Sequence, residues 1–259
     1  MNIKIESTTN PTFKQVKKLQ SRSGRTKSNQ YLAEGVRAVT DAIANGADVE
    51  CVILCEGKAL PFDAKNIRVY ELKKALFDEL KLTVNSQGVL AVINYALPDA
   101  SSINSADMQT IVYLDSVTDP GNMGTIIRSC DAFGADAIIL SRGCVDIFNP
   151  KVVRSSMASL FNVPIFADTS SPSVLTALSL EGFSIVGTFP RNADVLSETD
   201  FSEKNVIVMG NEANGIGEDT QALCTKRITI PMRGKSESLN VASALTVVLY
   251  EIMRKRGDT

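Results

Sequence analysis

Three segments of the chain set polar side chains among glycines and prolines in a way that a plain hydrophobic core does not require. The first is DSVTDPGNMGTIIRSCDAFGAD, residues 115–136. Pro120, Gly121 and Gly124 make a tight turn into a helix, and Arg128 falls four residues after Gly124. A cation near a helix N-terminus faces an unfavourable dipole, so helix propensity does not explain Arg128; a solvated helix face tolerates it equally well. The second is VIVMGNEANGIGED, residues 206–219, where Glu212 sits between Gly210 and Gly215 in a loop with open backbone groups. The third is ITIPMRGKSESLNVASALTVVLYEI, residues 228–252. There Ser238 begins an apolar helix with Asn240 in its first turn, and N-capping alone accounts for both. Gly234-Lys235-Ser236 looks like the end of a phosphate-binding loop, but position 229 is Thr where that motif needs Gly. Nucleotide hydrolysis is therefore disfavoured.

The 259 residues contain no histidine and no tryptophan. Ser-His-Asp and Cys-His nucleophilic sites, mixed Cys/His zinc sites and the usual base for physiological pH are excluded. Catalysis would have to use carboxylates, Lys, Arg, Tyr, Cys, hydroxyls, amides or a cofactor. Five cysteines form no CxxC pair and read as reduced thiols of a cytoplasmic protein, with no metal site. The N-terminus has no run of signal-peptide character and no segment approaches the ~20 apolar residues that span a bilayer, so no membrane association is expected. The net charge of -2 conceals an asymmetry: residues 1–40 hold eight Lys and Arg against two acids, whereas residues 101–259 hold 13 against 18. A basic end on an acidic body suits a polyanion held by the first part, although a solvated helix face would carry the same charges.

The elements that must position these residues follow from the pattern of apolar runs. NPTFKQVKKL, residues 10–19, predicts a capped helix; SRSGRTKSNQ, residues 21–30, predicts a loop able to follow a phosphate backbone; helix returns over 35–45. Strands at 51–55, 67–72 and 89–94, with a helix near 73–80, predict a small α/β domain over 1–96. LPDASSINSAD, residues 97–107, predicts a linker. Beyond it, over 108–259, strands at 110–115, 137–141, 163–166, 183–188, 206–210 and 227–231 alternate with helices near 123–133, 150–160 and 172–180, a short one after Gly215, and a last one over 238–255. Continuous Val/Ile runs separated by helices predict an α/β fold with a mainly parallel sheet covered on both faces, which binds ligands at the carboxyl ends of its strands.

In this order and spacing, NMGTIIRSCDAFGAD, VMGNEANGIG and IPMRGKSESLNVASA resemble the three motifs of the SpoU (TrmH) branch of the SPOUT superfamily of RNA ribose methyltransferases. The resemblance spans residues 110–255. The stretch from Asn10 to Gly46 also resembles the ribosomal-protein-like substrate-binding domain that many of these enzymes carry. The resemblance implies a C-terminal part threaded into a deep trefoil knot, S-adenosylmethionine held there in a bent form, and a homodimer with the site at the subunit interface. It also implies that Gly187, Thr188, Gly210, Glu212, Ile230, Met232 and Leu239 surround the cofactor, and that Asn122, Arg128, Glu212, Ser238 and Asn240 form the polar active-site set.

The reaction so implied moves the sulfonium methyl to a ribose 2'-hydroxyl, with 23S ribosomal RNA the favoured substrate and transfer RNA the alternative. The resemblance assigns an arginine to activating that hydroxyl, which falls on Arg128; because a guanidinium is a poor general base, the alternative is that Arg128 stabilises the developing alkoxide and a nearby RNA phosphate that takes the proton. Lys14, Lys17, Lys18, Arg25, Lys27 and Arg37 are the phosphate-contact candidates of the N-terminal domain, joined by Arg154 from NPKVVRSS. A competing reading is a non-catalytic RNA-binding or ribosome-assembly protein of the same fold, which failure to bind the cofactor would favour.

Overall fold

The computed structural model describes residues 2–60, 64, 66–168 and 172–257. The chain forms two compact units, one of Met1–Ala96 with Asp146–Phe161 and one of Leu97–Val145 with Asn162–Thr259.

The first unit is built on a mixed five-stranded sheet. Its elements are β1 (Ile3–Ile5), α1 (Pro11–Lys18), α2 (Arg22–Ser28), β2 (Gln30–Glu34), α3 (Val36–Ala44), β3 (Val49–Cys55), β4 (Arg68–Leu72), α4 (Lys74–Leu80) and β5 (Val89–Asn94), with strand order β1-β4-β3-β5-β2. Asn10 caps α1, its side chain accepting from Thr12 N at 2.8 Å, with Pro11 at the first helical position. Phe13, Val16 and Leu19 then point into a core with Ile53, Leu72, Phe77 and Leu90.

Residues 21–30, expected as a loop, are mostly the helix α2. The sequence has no apolar stripe to reveal it. What holds it is Ser21, which accepts from Gly24 N, and the buried Arg25. Arg25 is 3% exposed; its guanidinium donates to Leu19 O at 2.9 Å, to Gln20 O at 3.2 Å and to Asp146 Oδ2 at 2.6 and 2.9 Å. Asp146 opens the stretch that joins this unit from the middle of the chain, followed by helix α6 (Pro150–Ser156), capped by Asn149, and a 3-10 turn over Met157–Phe161. Phe148 fixes the same stretch by stacking on Tyr95 at 3.7 Å and Tyr31 at 4.8 Å.

The second unit is a parallel seven-stranded sheet. It comprises β6 (Thr110–Leu114), α5 (Pro120–Ala132), β7 (Ala137–Leu140), β8 (Ile165–Ala167), α7 (Ser173–Leu180), β9 (Ser184–Thr188), β10 (Asp194–Val195), β11 (Asn205–Met209), α8 (Glu218–Ala222), β12 (Lys226–Thr229) and α9 (Val241–Arg256). The order is β10-β12-β9-β11-β6-β7-β8. The chain steps outward from β6 to β8, returns on the far side with β9, and fills the gap between β9 and β6 with β11. That reversal is the switch point at which open α/β sheets bind ligands. Tyr113, Ile139, Ile185 and Val208 lie under α7 in one core, while α5 and α9 pack side by side, Ser129 Oγ and Thr246 Oγ1 2.6 Å apart.

Residues 97–107, expected as a linker, belong to this unit: Ala100 and Ser105 are buried, and Ala167 N donates to Pro98 O at 2.9 Å. The last helix begins at Val241 rather than 238, because Asn240 occupies the cap position. No helix among the described residues is long and apolar enough to cross a membrane.

Candidate active site at the strand ends of the second unit

The carboxyl ends of β6 and β11 are tied together by short polar loops. Asp115, just past β6, accepts from Gly217 N at 2.8 Å. Asp119 caps α5 by accepting from Asn122 N at 2.8 Å, with Pro120 at the first helical position. Beyond β11, Asn211 and Gly215 exchange backbone hydrogen bonds of 2.8 and 2.9 Å, closing a tight loop. Asn211 holds that loop from within and without: its Oδ1 accepts from Ala213 N and Asn214 N, and its Nδ2 donates to Ser116 O at 2.7 Å. Gly210 is obligatory here, since a Cβ would overlap the Gly215 carbonyl and the Ile216 amide.

These loops bring Glu212 against the start of α5. Its carboxylate accepts from Thr118 N, Thr118 Oγ1, Asp119 N and Asn122 Nδ2, at 2.9–3.3 Å, and more distantly from Asn211 Nδ2. Partial burial pushes the carboxyl upward, but the bonds from Asn122 and from backbone N–H groups outweigh it and hold the group below its ordinary range. Glu212 is thus an ionised clamp with its lone pairs engaged, not a waiting proton acceptor. Asn122 completes a relay: its Nδ2 is committed to Glu212, so its Oδ1 is free to accept from Asn240 Nδ2 at 2.8 Å.

Against these groups opens a cavity of about 950 Å³. Its apolar walls come from Met209, Ile228, Ile230, Leu239 and Val248; its polar rim comes from Asp119, Asn122, Glu212, Glu237, Ser238 and Asn240. That volume and mixture suit a nucleoside-sized ligand with an apolar ring system and a polar tail. No thiol offers a nucleophile: burial pushes Cys144 and Cys224 up to about 11.

Of the residues singled out from sequence, Asn122, Glu212, Ser238 and Asn240 line this one cavity, as do Thr188, Gly210, Ile230, Met232 and Leu239. Gly187 does not. It is buried within β9, where the missing Cβ admits Cys224 Sγ and the Phe189 ring. Arg128 is exposed on α5 and lies outside the lining. Sequence reasoning missed Asp115, Thr118 and Asn211, whose roles depend on loops from distant strands meeting, and also Phe189 and Arg191, which line the cavity beyond β9.

On the first unit, Lys14, Lys18, Lys27 and Arg154 are exposed. Lys17 pairs with Glu79 at 3.7 Å and Arg37 with Asp41 at 3.6 Å, both at the surface. Arg25 departs from that reading: its buried guanidinium donates to Asp146 and two carbonyls and does not reach a phosphate at the surface.

A family model described as SpoU rRNA methylase matches residues 109–250, and one described as MRM3-like substrate binding domain matches residues 10–91. The chain is 32% identical to the 23S rRNA (guanosine(2553)-2'-O)-methyltransferase RlmP of Bacillus subtilis, over 96% of this chain and 98% of that protein. It is 30% identical to the 23S rRNA (uridine(2479)-2'-O)-methyltransferase of Streptomyces viridochromogenes, over 92% and 87%. Among solved structures, the SpoU methyltransferase AviRb from the same organism, in complex with the cofactor AdoMet, superposes with a TM-score of 0.83 at 31% identity, covering 95% of this chain and 98% of that one. An AdoMet-bound rRNA methyltransferase from Sinorhizobium meliloti gives 0.86 at 29% identity, covering 97% of each chain.

Proposed function

The chain belongs to the SpoU rRNA methylase family, and on that premise we propose that it transfers a methyl group from S-adenosylmethionine to a ribose 2'-hydroxyl of 23S ribosomal RNA. The observation that carries the reading is the convergence of three distant polar segments on one cavity, joined by the Asn240–Asn122–Glu212 relay.

S-adenosylmethionine, when bound, supplies an already electrophilic methyl group. The work left to the protein is to position the hydroxyl and manage its charge. Thr188, Gly210, Ile230, Met232 and Leu239 would hold the cofactor, with Gly187 letting Phe189, itself part of the lining, pack close against β9. Glu212 fixes the loop before α5 and the amide orientation of Asn122, and Asn240 holds that amide from the other side. Ser238 lies on the same rim and would orient the incoming ribose. The Arg128 guanidinium would stabilise the developing alkoxide and bind the adjoining RNA phosphate, which would accept the proton leaving the hydroxyl.

We also propose a homodimer as the working assembly. Val247 and Tyr250 on α9 are exposed large apolar side chains, Phe133 just past the end of α5 meets the Tyr250 ring edge-on, and Arg128 stands exposed on α5. A second copy over this helix pair would cover the apolar groups and give Arg128 a site to serve. We further propose the trefoil threading that the family resemblance implies; the observed strand order, with β11 between β9 and β6, is compatible with it. Ribosomal RNA would be met through Lys14, Lys17, Lys18, Lys27, Arg37 and Arg154, in the cytoplasm, where the free cysteines stay reduced.

The test is Arg128→Ala in the full-length protein, assayed with labelled cofactor and a ribosomal RNA transcript. Cofactor affinity is expected to hold while transfer falls by orders of magnitude; unchanged turnover overturns the assignment of Arg128. Mapping ribose methylation in cells lacking the protein identifies the nucleotide, and an unmodified transfer RNA with intact 23S RNA would overturn the choice of substrate.

A further inference from the structure

The cavity lining holds one cation among the described residues, Arg191, in the turn that follows β9. It also holds three carboxylates, Asp119, Glu212 and Glu237. Two of these are occupied, Asp119 as the cap of α5 and Glu212 by its donors from the loops. Arg191 and Glu237 are exposed and form no ion pair with another described residue. The cavity therefore presents one positive and one negative side chain that no other described residue pairs with.

S-adenosylmethionine carries matching charges at its amino-acid end, an α-carboxylate and an α-ammonium. We propose that Arg191 recognises the α-carboxylate of the bound cofactor and Glu237 its α-ammonium, so that this pair selects the amino-acid end while the apolar walls take the adenosyl part. The inference rests on the proposed use of that cofactor. A guanidinium suits the task because its planar fork matches a carboxylate bidentately. Its setting is also stiffened: Pro190 fixes φ just before it, and the ring of Phe189 is covered by the Arg227 guanidinium at 3.6 Å. Arg227 is thereby committed to the ring and does not line the cavity, which leaves Arg191 to meet an anion there.

The experiment uses two neutral thioethers that differ at this end. S-adenosylhomocysteine keeps the amino acid, and 5'-methylthioadenosine lacks it. Titration calorimetry on the full-length protein is expected to show Arg191→Gln binding S-adenosylhomocysteine about tenfold more weakly or worse, the loss of one charge-assisted contact. Methylthioadenosine should bind as in the wild type, which also verifies the fold. Glu237→Gln should show the same selective loss, and Arg191→Lys should recover part of it. Equal losses for both compounds, or none for either, would overturn the proposal. Unchanged binding of both with weakened RNA binding would overturn it in favour of a phosphate contact. Wild-type protein that binds neither thioether would instead bring down the cofactor reading itself.

Discussion

Asn240 and Asn122 lie 118 residues apart in sequence and meet amide to amide, Nδ2 of the first donating to Oδ1 of the second at 2.8 Å. Asn240 serves two elements at once, because its Oδ1 also caps α9 by accepting from Ala242 N at 3.0 Å and Ser243 N at 3.3 Å. Capping and bridging use opposite ends of one amide. Its orientation is thus set by the helix it starts, and Asn122 receives a donor whose direction cannot reverse without uncapping α9.

That division makes the two roles separable. Asn240→Asp keeps an oxygen for the cap but replaces the bridging donor with an acceptor facing Asn122 Oδ1. Stability is expected to stay within roughly 1 kcal/mol of wild type, while methyl transfer falls about tenfold or more, as for one hydrogen bond lost in the transition state. Asn240→Ala loses both roles and should unfold earlier by an additional ~1 kcal/mol. Chemical denaturation and single-turnover rates on the same preparations separate the effects. Full activity in Asn240→Asp would show the bridge to be idle.

Glu212 gives a pH-dependent prediction with a definite sign. Its folded carboxyl is held below the ordinary value of 4.5, so its contribution is complete above that value and is lost as pH falls from 4.5 through the lower folded value. Glu212→Gln should bind cofactor roughly tenfold more weakly at neutral pH, because an amide NH₂ would face the donors of Thr118. Thermal unfolding of both proteins between pH 7 and 3.5 should show the gap between them closing only below 4.5. A gap independent of pH would mean that ionisation of Glu212 does not matter.

Much of both units was legible in the sequence because the signals are local. Asp119-Pro120 and Asn149-Pro150 open helices as Asn10-Pro11 does, each supplying a capping side chain and a pre-set φ. Strands such as Asn205–Met209 are buried throughout, with a continuous apolar run from Val206 to Met209, as parallel sheets require. What was not legible depends on the fold being assembled. Nothing in RSGRTKS has helical periodicity, and α2 exists because Arg25 finds Asp146 from 121 residues away. Likewise Asp146–Phe161 reads as part of the catalytic sequence yet packs with the first unit, so cutting the chain at residue 96 would strip Phe148 of Tyr31 and Tyr95. In the site, residue types pointed to Glu212, but only the geometry shows it clamped rather than basic.

The glycines of the site differ in what they tolerate. Gly210→Ala puts a methyl into the backbone of Gly215 and Ile216, neither of which can move aside cheaply. A loss on the order of 3 kcal/mol is expected, with cofactor binding abolished in whatever remains folded. Gly234→Ala, in the loop before α9, meets nothing within 4 Å and should be neutral or stabilise by up to about 1 kcal/mol through the unfolded chain. Urea unfolding of both variants checks the contrast, and a tolerated Gly210→Ala would refute the close approach.

The first unit carries two kinds of basic residue. Lys14, Lys18, Lys27 and Arg154 are exposed, so alanine at each should leave stability within about 0.5 kcal/mol. If they meet phosphates, each should lower the slope of log affinity against log salt by about 0.7–0.9. Arg25 should behave in the opposite way. Arg25→Met leaves Asp146 without its partner beneath a side chain that is 4% exposed, a change expected to cost about 3 kcal/mol. Arg25→Lys should recover little, since an ammonium cannot hold Asp146 and the carbonyls of Leu19 and Gln20 together. Where Arg25→Met remains folded, the salt slope for RNA should match wild type, because no phosphate contact has been removed. A reduced slope at full stability would return Arg25 to the RNA surface and would require the ion pair with Asp146 to open on binding.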